Sequence, residues 1–84
     1  MNTKNQKTLE QIYKSPTPSN IPWKEIEALF IAVGCVITEG TGSRIRIKYN
    51  EERAVFHRPH PQPNTDKGAV KSVKNFLQNI GVKP

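Results

Sequence analysis

The most regular pattern in the sequence is the alternation of apolar and cationic side chains over residues 43–49. Ile45, Ile47 and Tyr49 alternate with Arg44, Arg46 and Lys48. Successive side chains of a strand point to opposite faces, so this period of two predicts a half-buried β-strand. The three cations are then expected to project together from the open face of a sheet.

One further strand is predicted before this one in the chain and one after it. Residues 35–39 form the first, which ends at the turn Gly40-Thr41-Gly42, and residues 53–57 form the third, after a tight connection at 50–52. Short turns between consecutive strands favour an antiparallel meander. After this meander, prolines at positions 59, 61 and 63 predict an extended loop, because proline cannot donate a ladder hydrogen bond.

Two amphipathic helices flank the predicted sheet. The first begins with Pro22 at its first helical position and ends at Gly34, and its apolar face consists of Ile26, Leu29, Phe30 and Val33. The second runs from about Asp66 or Lys67 to Asn79, is capped by Thr65 or Asp66 and ends before Gly81. Its apolar stripe consists of Val70, Val73, Phe76, Leu77 and Ile80.

The first 20 residues are interpreted as an extension of the domain. Residues 3–14 predict a short polar helix with one thin apolar stripe, and the segment 15–20, with two prolines, predicts a linker. Residues 21–84 then form the domain, and we expect them to fold without residues 1–14. The predicted fold class is α+β, in α-β-β-β-α order, with both helices on one face of a three-stranded antiparallel sheet.

The net charge of +6 is concentrated in the second half of the chain. From residue 44 onward, nine Lys and Arg face three acidic residues, whereas residues 21–43 have a net charge of −2. Such an asymmetry is typical of a surface that binds a polyanion such as RNA. The candidate RNA-binding residues are Arg44, Arg46, Lys48, Arg58, Lys71 and Lys74. The alternative for the overall charge is that it only keeps the protein soluble. The alternative for Arg44, Arg46 and Lys48 is that they only protect an exposed strand face from edge-to-edge pairing.

His57 and His60 are the candidate catalytic residues. Histidine changes charge near neutral pH, and RNA cleavage needs a base for the 2′-hydroxyl, an acid for the leaving oxygen and cations for the charged phosphorane. The alternative for each is an ordinary polar surface residue. With no second cysteine and no clustered carboxylates nearby, we expect neither a metal site nor another cofactor.

Cellular location is predicted from what the sequence lacks. The single cysteine of the chain, Cys35, is interpreted as a small buried hydrophobic residue, since it lies in an apolar run. No apolar stretch approaches the roughly 20 residues of a membrane span, and no signal peptide is recognised. We therefore expect a cytoplasmic protein.

The ordered set of these motifs over residues 21–82 resembles the HicA toxin family. The resemblance rests on the helix that ends at Gly34, the Gly42-Ser43 turn before a basic strand, the His60-Pro61 segment, and the helix opening Lys67-Gly68-Ala69-Val70. The stretches 56–61 and 66–70 resemble one divergent branch of that family.

The resemblance implies a fold similar to a double-stranded-RNA-binding domain, ribosome-independent cleavage of mRNA, and neutralisation by a HicB-like antitoxin. One departure concerns the catalytic histidine, which in the family follows Gly-Ser directly; here that position is Arg44. Either His57 on the neighbouring strand replaces it, or the protein binds RNA without cleaving it. His60 matches a recurrent His-Pro of the family and is interpreted as structural or supporting.

Three functions therefore remain open from the sequence. The first is a toxin endoribonuclease that uses His57, and the second is a non-catalytic RNA-binding module. The third is an adaptor whose basic sheet binds an acidic protein.

Overall fold

A computed structural model describes all 84 residues and contains three α-helices. Their bounds are Thr3–Ile12 for α1, Trp23–Ala32 for α2 and Lys67–Asn79 for α3. Pro22 precedes α2 as its N-cap rather than forming its first helical residue, and Asp66 caps α3 by accepting a 2.7 Å hydrogen bond from the Ala69 amide. The sequence predicted that this helix ends at Gly34. Gly34 does follow α2, and its φ of +98° is in the left-handed region that favours glycine.

The strands form one antiparallel sheet and one very short pair. The sheet has the order β2-β3-β4, with β2 at Val36–Glu39, β3 at Arg44–Tyr49 and β4 at Glu52–His57. The short pair joins β1, Ile21–Pro22, to β5, Asn64–Thr65. It holds the far end of the proline-containing loop beside the start of α2, where the Trp23 amide also donates to the Pro63 carbonyl at 2.9 Å. This pair was not predicted.

The predicted α+β class and the α-β-β-β-α order are confirmed. All helices lie on one side of the three-stranded sheet, where the inward residues of β3 and β4 meet the apolar stripes of α2 and α3. Phe30 of α2 is central, because its ring centroid lies 5.9 Å from that of Phe56 on β4 and 5.8 Å from that of Phe76 on α3. Trp23 also packs against Phe56, with the ring centroids 5.6 Å apart, as a core anchor.

Helix α1 packs on α2 and α3 and contributes to the same core. Leu9 and Ile12 are each only 1% exposed, and the Tyr13 hydroxyl donates a 2.6 Å hydrogen bond to the carbonyl of Val82 near the other end of the chain. The apolar stripe of α1 is therefore fully buried. The division of the chain at residue 20 stays a prediction.

Leu9→Ala tests how much α1 contributes to folding. Removing a fully buried leucine side chain is expected to lower the free energy of unfolding by about 2–5 kcal/mol, measured by denaturant titration. Gln11→Ala, at an exposed position of the same helix, is the control and should change the free energy of unfolding little.

We expect a chain lacking residues 1–14 to melt cooperatively but at a lower temperature. Loss of the cooperative melt would show that the domain does not fold without α1.

Candidate nucleic-acid interface

The side of the sheet away from the helices has an open, basic surface. We define this open face by the outward residues of the three strands: Val36, Thr38, Arg44, Arg46, Lys48, Arg53, Val55 and His57. All eight are exposed, and none is acidic. The alternation predicted for β3 is confirmed, since Ile45 and Ile47 are completely buried while the cations between them are exposed.

The register between β3 and β4 pairs Arg44 with His57. The Arg58 amide donates to the Ser43 carbonyl at 2.9 Å, so the 43–58 pair is hydrogen-bonded and the next pair, Arg44 with His57, is of the non-hydrogen-bonded kind. In such pairs the Cα atoms are only about 4.5 Å apart and the side chains lie close together. His57 therefore lies directly beside Arg44, as expected where the second and third strands of a meander pair antiparallel.

The same register brings Arg53 into the interface, although the sequence did not single it out. Arg53 pairs with Lys48, again in a non-hydrogen-bonded position. Like charges directly opposite each other on a sheet are destabilising. The pair adds two neighbouring cations to the open face. Arg53 can be identified as a residue of the open face only from the register between β3 and β4.

Apolar side chains lie among these cations. Val55 is 54% exposed opposite Arg46, and Val36 is 61% exposed opposite Lys48. Around Val55 the surface forms an open depression of about 390 Å³ that Arg46, Lys48 and Arg53 also line. The cations suit the phosphates of a nucleic-acid strand. The two valines are the exposed apolar surface beside them, and no Phe, Tyr or Trp side chain lies on the open face.

Arg58 does not lie on the open face. Its guanidinium makes ion pairs with Glu27 of α2 and Glu39 of β2, both at 2.7 Å. These hydrogen bonds raise the pKa of Arg58, and in turn the Arg58 guanidinium holds the pKa of Glu39 below its usual range. The charge of Arg58 is therefore balanced by two carboxylates within the protein. Its role in binding RNA stays a prediction.

Lys71 and Lys74 are on α3, whose buried side packs against the opposite face of the sheet. The Lys74 ammonium lies 5.5 Å from the centre of the Tyr13 ring of α1. The fold therefore does not bring these two lysines together with the cations of β3. Their role in binding RNA stays a prediction.

His60 is also separated from the open face. It is exposed in the loop after β4 and lines a surface depression with Ser19, Gln62 and Asp66 among others, none of which belongs to that face. The catalytic roles of His57 and His60 remain predictions. No group of three His, Cys, Asp or Glu side chains lies close enough together to hold a metal ion.

Cys35 is buried, and burial raises the pKa of its thiol to about 11, which agrees with the expected small hydrophobic residue. None of the three helices has the length and apolar character that crossing a membrane requires.

The fold and the open face define a small α+β protein with a basic, helix-free sheet surface. Residues 23–82 of this chain match the family model described as HicA toxin of bacterial toxin–antitoxin. Because the match covers most of the 84 residues, the chain belongs to the HicA toxin family, and it is a toxin of a toxin–antitoxin system. No curated protein and no solved structure matches the chain.

The contribution of β3 to RNA binding can be measured from its salt dependence. The triple variant Arg44→Gln, Arg46→Gln, Lys48→Gln should bind RNA more weakly, and the slope of log affinity against log salt should fall by about 2, since each phosphate contact on a single strand contributes about 0.7. The double variant Lys71→Gln, Lys74→Gln is the comparison. A slope that changes in the double variant and not in the triple one would assign RNA binding to α3.

Proposed function

We propose that this toxin binds mRNA on the open face and cleaves it by metal-independent acid–base chemistry in the cytoplasm. The observation that carries the proposal is the pairing of Arg44 with His57 on an exposed face of four cations. Membership of the family supports a nuclease in general, because HicA toxins are generally mRNA-cleaving.

In this proposal, the phosphates of an extended RNA strand follow β3. Alternate residues of a strand are about 6.5–7 Å apart, a spacing that suits successive phosphates of an extended single strand. Arg44, Arg46 and Lys48 would then bind consecutive phosphates, with Arg53 beside them. The exposed Val55 gives an unstacked base an apolar surface to lie against.

His57 is the proposed general base. Its imidazole accepts the proton of a 2′-hydroxyl, the 2′-oxygen attacks the adjacent phosphorus, and the bond from phosphorus to the 5′-oxygen breaks. The products are a 2′,3′-cyclic phosphate and a 5′-hydroxyl, once an acid has given a proton to the 5′-oxygen. Arg44, which pairs with His57, is the proposed cation that stabilises the negative charge developing on the phosphorane.

For His60 we propose one of two roles. It gives the proton to the leaving 5′-oxygen, or it only holds the loop in place. The neighbours of His60 are loop residues and not the cations of β3. Its contribution to the rate is therefore expected to be smaller than that of His57.

His57→Ala is the decisive variant. Loss of the imidazole is expected to lower the cleavage rate by about 10²–10⁴-fold, the usual contribution of a general acid–base group. RNA affinity should be nearly unchanged, because the cations remain. Cleavage of a short RNA, growth after induction and RNA affinity are followed together. His60→Ala should give a milder loss.

The alternative is an RNA-binding toxin without nuclease activity, which the arginine at the usual histidine position favours. Wild-type protein that binds RNA yet never cleaves it, in the absence of antitoxin, would establish this alternative. A His57→Ala variant that cleaves as fast as wild type would instead remove His57 from the mechanism while leaving the nuclease activity to another residue.

We also propose a HicB-like protein as the neutralising partner. Co-expression of the protein encoded by the neighbouring gene should restore growth, and it should abolish RNA binding by the purified complex. An unrelated acidic protein of similar size is the control. Growth inhibition that persists with the neighbour present would contradict this pairing.

A further inference from the structure

Arg58 follows His57 directly, and its side chain makes the most extensive set of polar contacts in the protein. Nε and Nη2 donate to the two carboxylate oxygens of Glu27, at 2.7 and 3.1 Å. Nη1 and Nη2 donate to the two oxygens of Glu39, at 2.7 and 2.8 Å. Arg58 is thus bidentate toward both carboxylates, an arrangement that only a guanidinium provides.

These contacts join three separate elements. Glu27 lies in α2, Glu39 is the last residue of β2, and Arg58 is the first residue after β4. Glu27 also accepts a hydrogen bond from the indole N–H of Trp23, which orients its carboxylate. The end of β4 is therefore tied to both the helix layer and the opposite edge strand.

His57 lies between two fixed neighbours. Before it, the ring of Phe56 packs against Trp23 and Phe30 in the core. After it, Arg58 is held by its side chain and by the hydrogen bond from its amide to Ser43. Because strand side chains alternate, Phe56 and Arg58 point toward the helices, and the imidazole of His57 must project from the open face beside Arg44.

The charge of this cluster does not favour a phosphate. Arg58 with Glu27 and Glu39 has a net charge of −1, so the cluster as a whole does not attract RNA. Its pairing with Glu27 is mostly shielded from solvent, since the Glu27 side chain is only 19% exposed. The cluster is built to hold the backbone in place.

We propose that Arg58 is a positioning residue that fixes His57 beside Arg44, through its two carboxylate partners. The proposal rests on the proposed function only in taking His57 as the catalytic group. Arg58 then contributes to the turnover of bound RNA and not to RNA affinity.

The test compares full-length variants that remove the cluster step by step. Arg58→Gln removes all the ion pairs, Arg58→Lys keeps the charge without the bidentate geometry, and Glu39→Gln removes one partner. Glu25→Gln, on the same helix as Glu27 and without an ion pair to Arg58, is the matched control. The measurements are kcat and KM on an RNA oligonucleotide, and the NMR signals of the His57 imidazole with its proximity to the Arg44 side chain.

For Arg58→Gln we expect kcat to fall about 10²-fold with a much smaller change in KM, since a displacement of about 1 Å at a reacting group has an effect of this size. The His57 signals should shift and lose their proximity to Arg44. Glu39→Gln should show the same changes to a smaller extent, Arg58→Lys should restore only part of kcat, and Glu25→Gln should match wild type.

Two results would overturn the proposal. One is a raised KM with kcat preserved, which would make Arg58 a phosphate ligand; the other is unchanged His57 signals in folded Arg58→Gln. If Arg58→Gln fails to fold, Glu39→Gln decides, because it leaves the pairing with Glu27 in place. If wild type does not cleave RNA, the proposed function fails, while the His57 signals still decide whether Arg58 positions the imidazole.

Discussion

The structure depends on the pairing register of β3. Ile45 and Ile47 are completely buried beneath the helices, while the side chains between them are cations with no acidic neighbour on the open face. A slip of one residue would bury Arg46 and expose both isoleucines, so burial and register enforce each other. One alternating strand thus specifies both the core of the protein and its basic surface.

Register also gives the surface its chemistry. The hydrogen-bonded pair of Ser43 and Arg58 sets the phase of the whole ladder, and every outward pair between β3 and β4 is consequently of the close kind. An imidazole at the end of β4 comes to the position next to the glycine-containing turn, where the family resemblance implies a histidine. The neighbouring strand can therefore present to that place a group that β3 lacks.

The sequence predicted those features that depend on local periodicity. The alternation of β3, the apolar stripes of α2 and α3 and the glycine stops give the order of elements, and a meander brings His57 to Arg44. Contacts between distant residues escaped prediction: Arg58 is 31 residues from Glu27 and 19 from Glu39, and no short pattern indicates that they meet. How deeply α1 packs into the core could not be read from the sequence, because a polar helix of ten residues does not show what covers its few apolar side chains.

The opposed cations Lys48 and Arg53 have a consequence for the life of the free protein. Their repulsion is present whenever the open face is empty, and it is relieved when negative charge from any bound partner lies across them. Binding that is specific to the folded state stabilises that state. If the proposed RNA lies across this pair, the free toxin is the least stable form of the protein and the one most open to proteases.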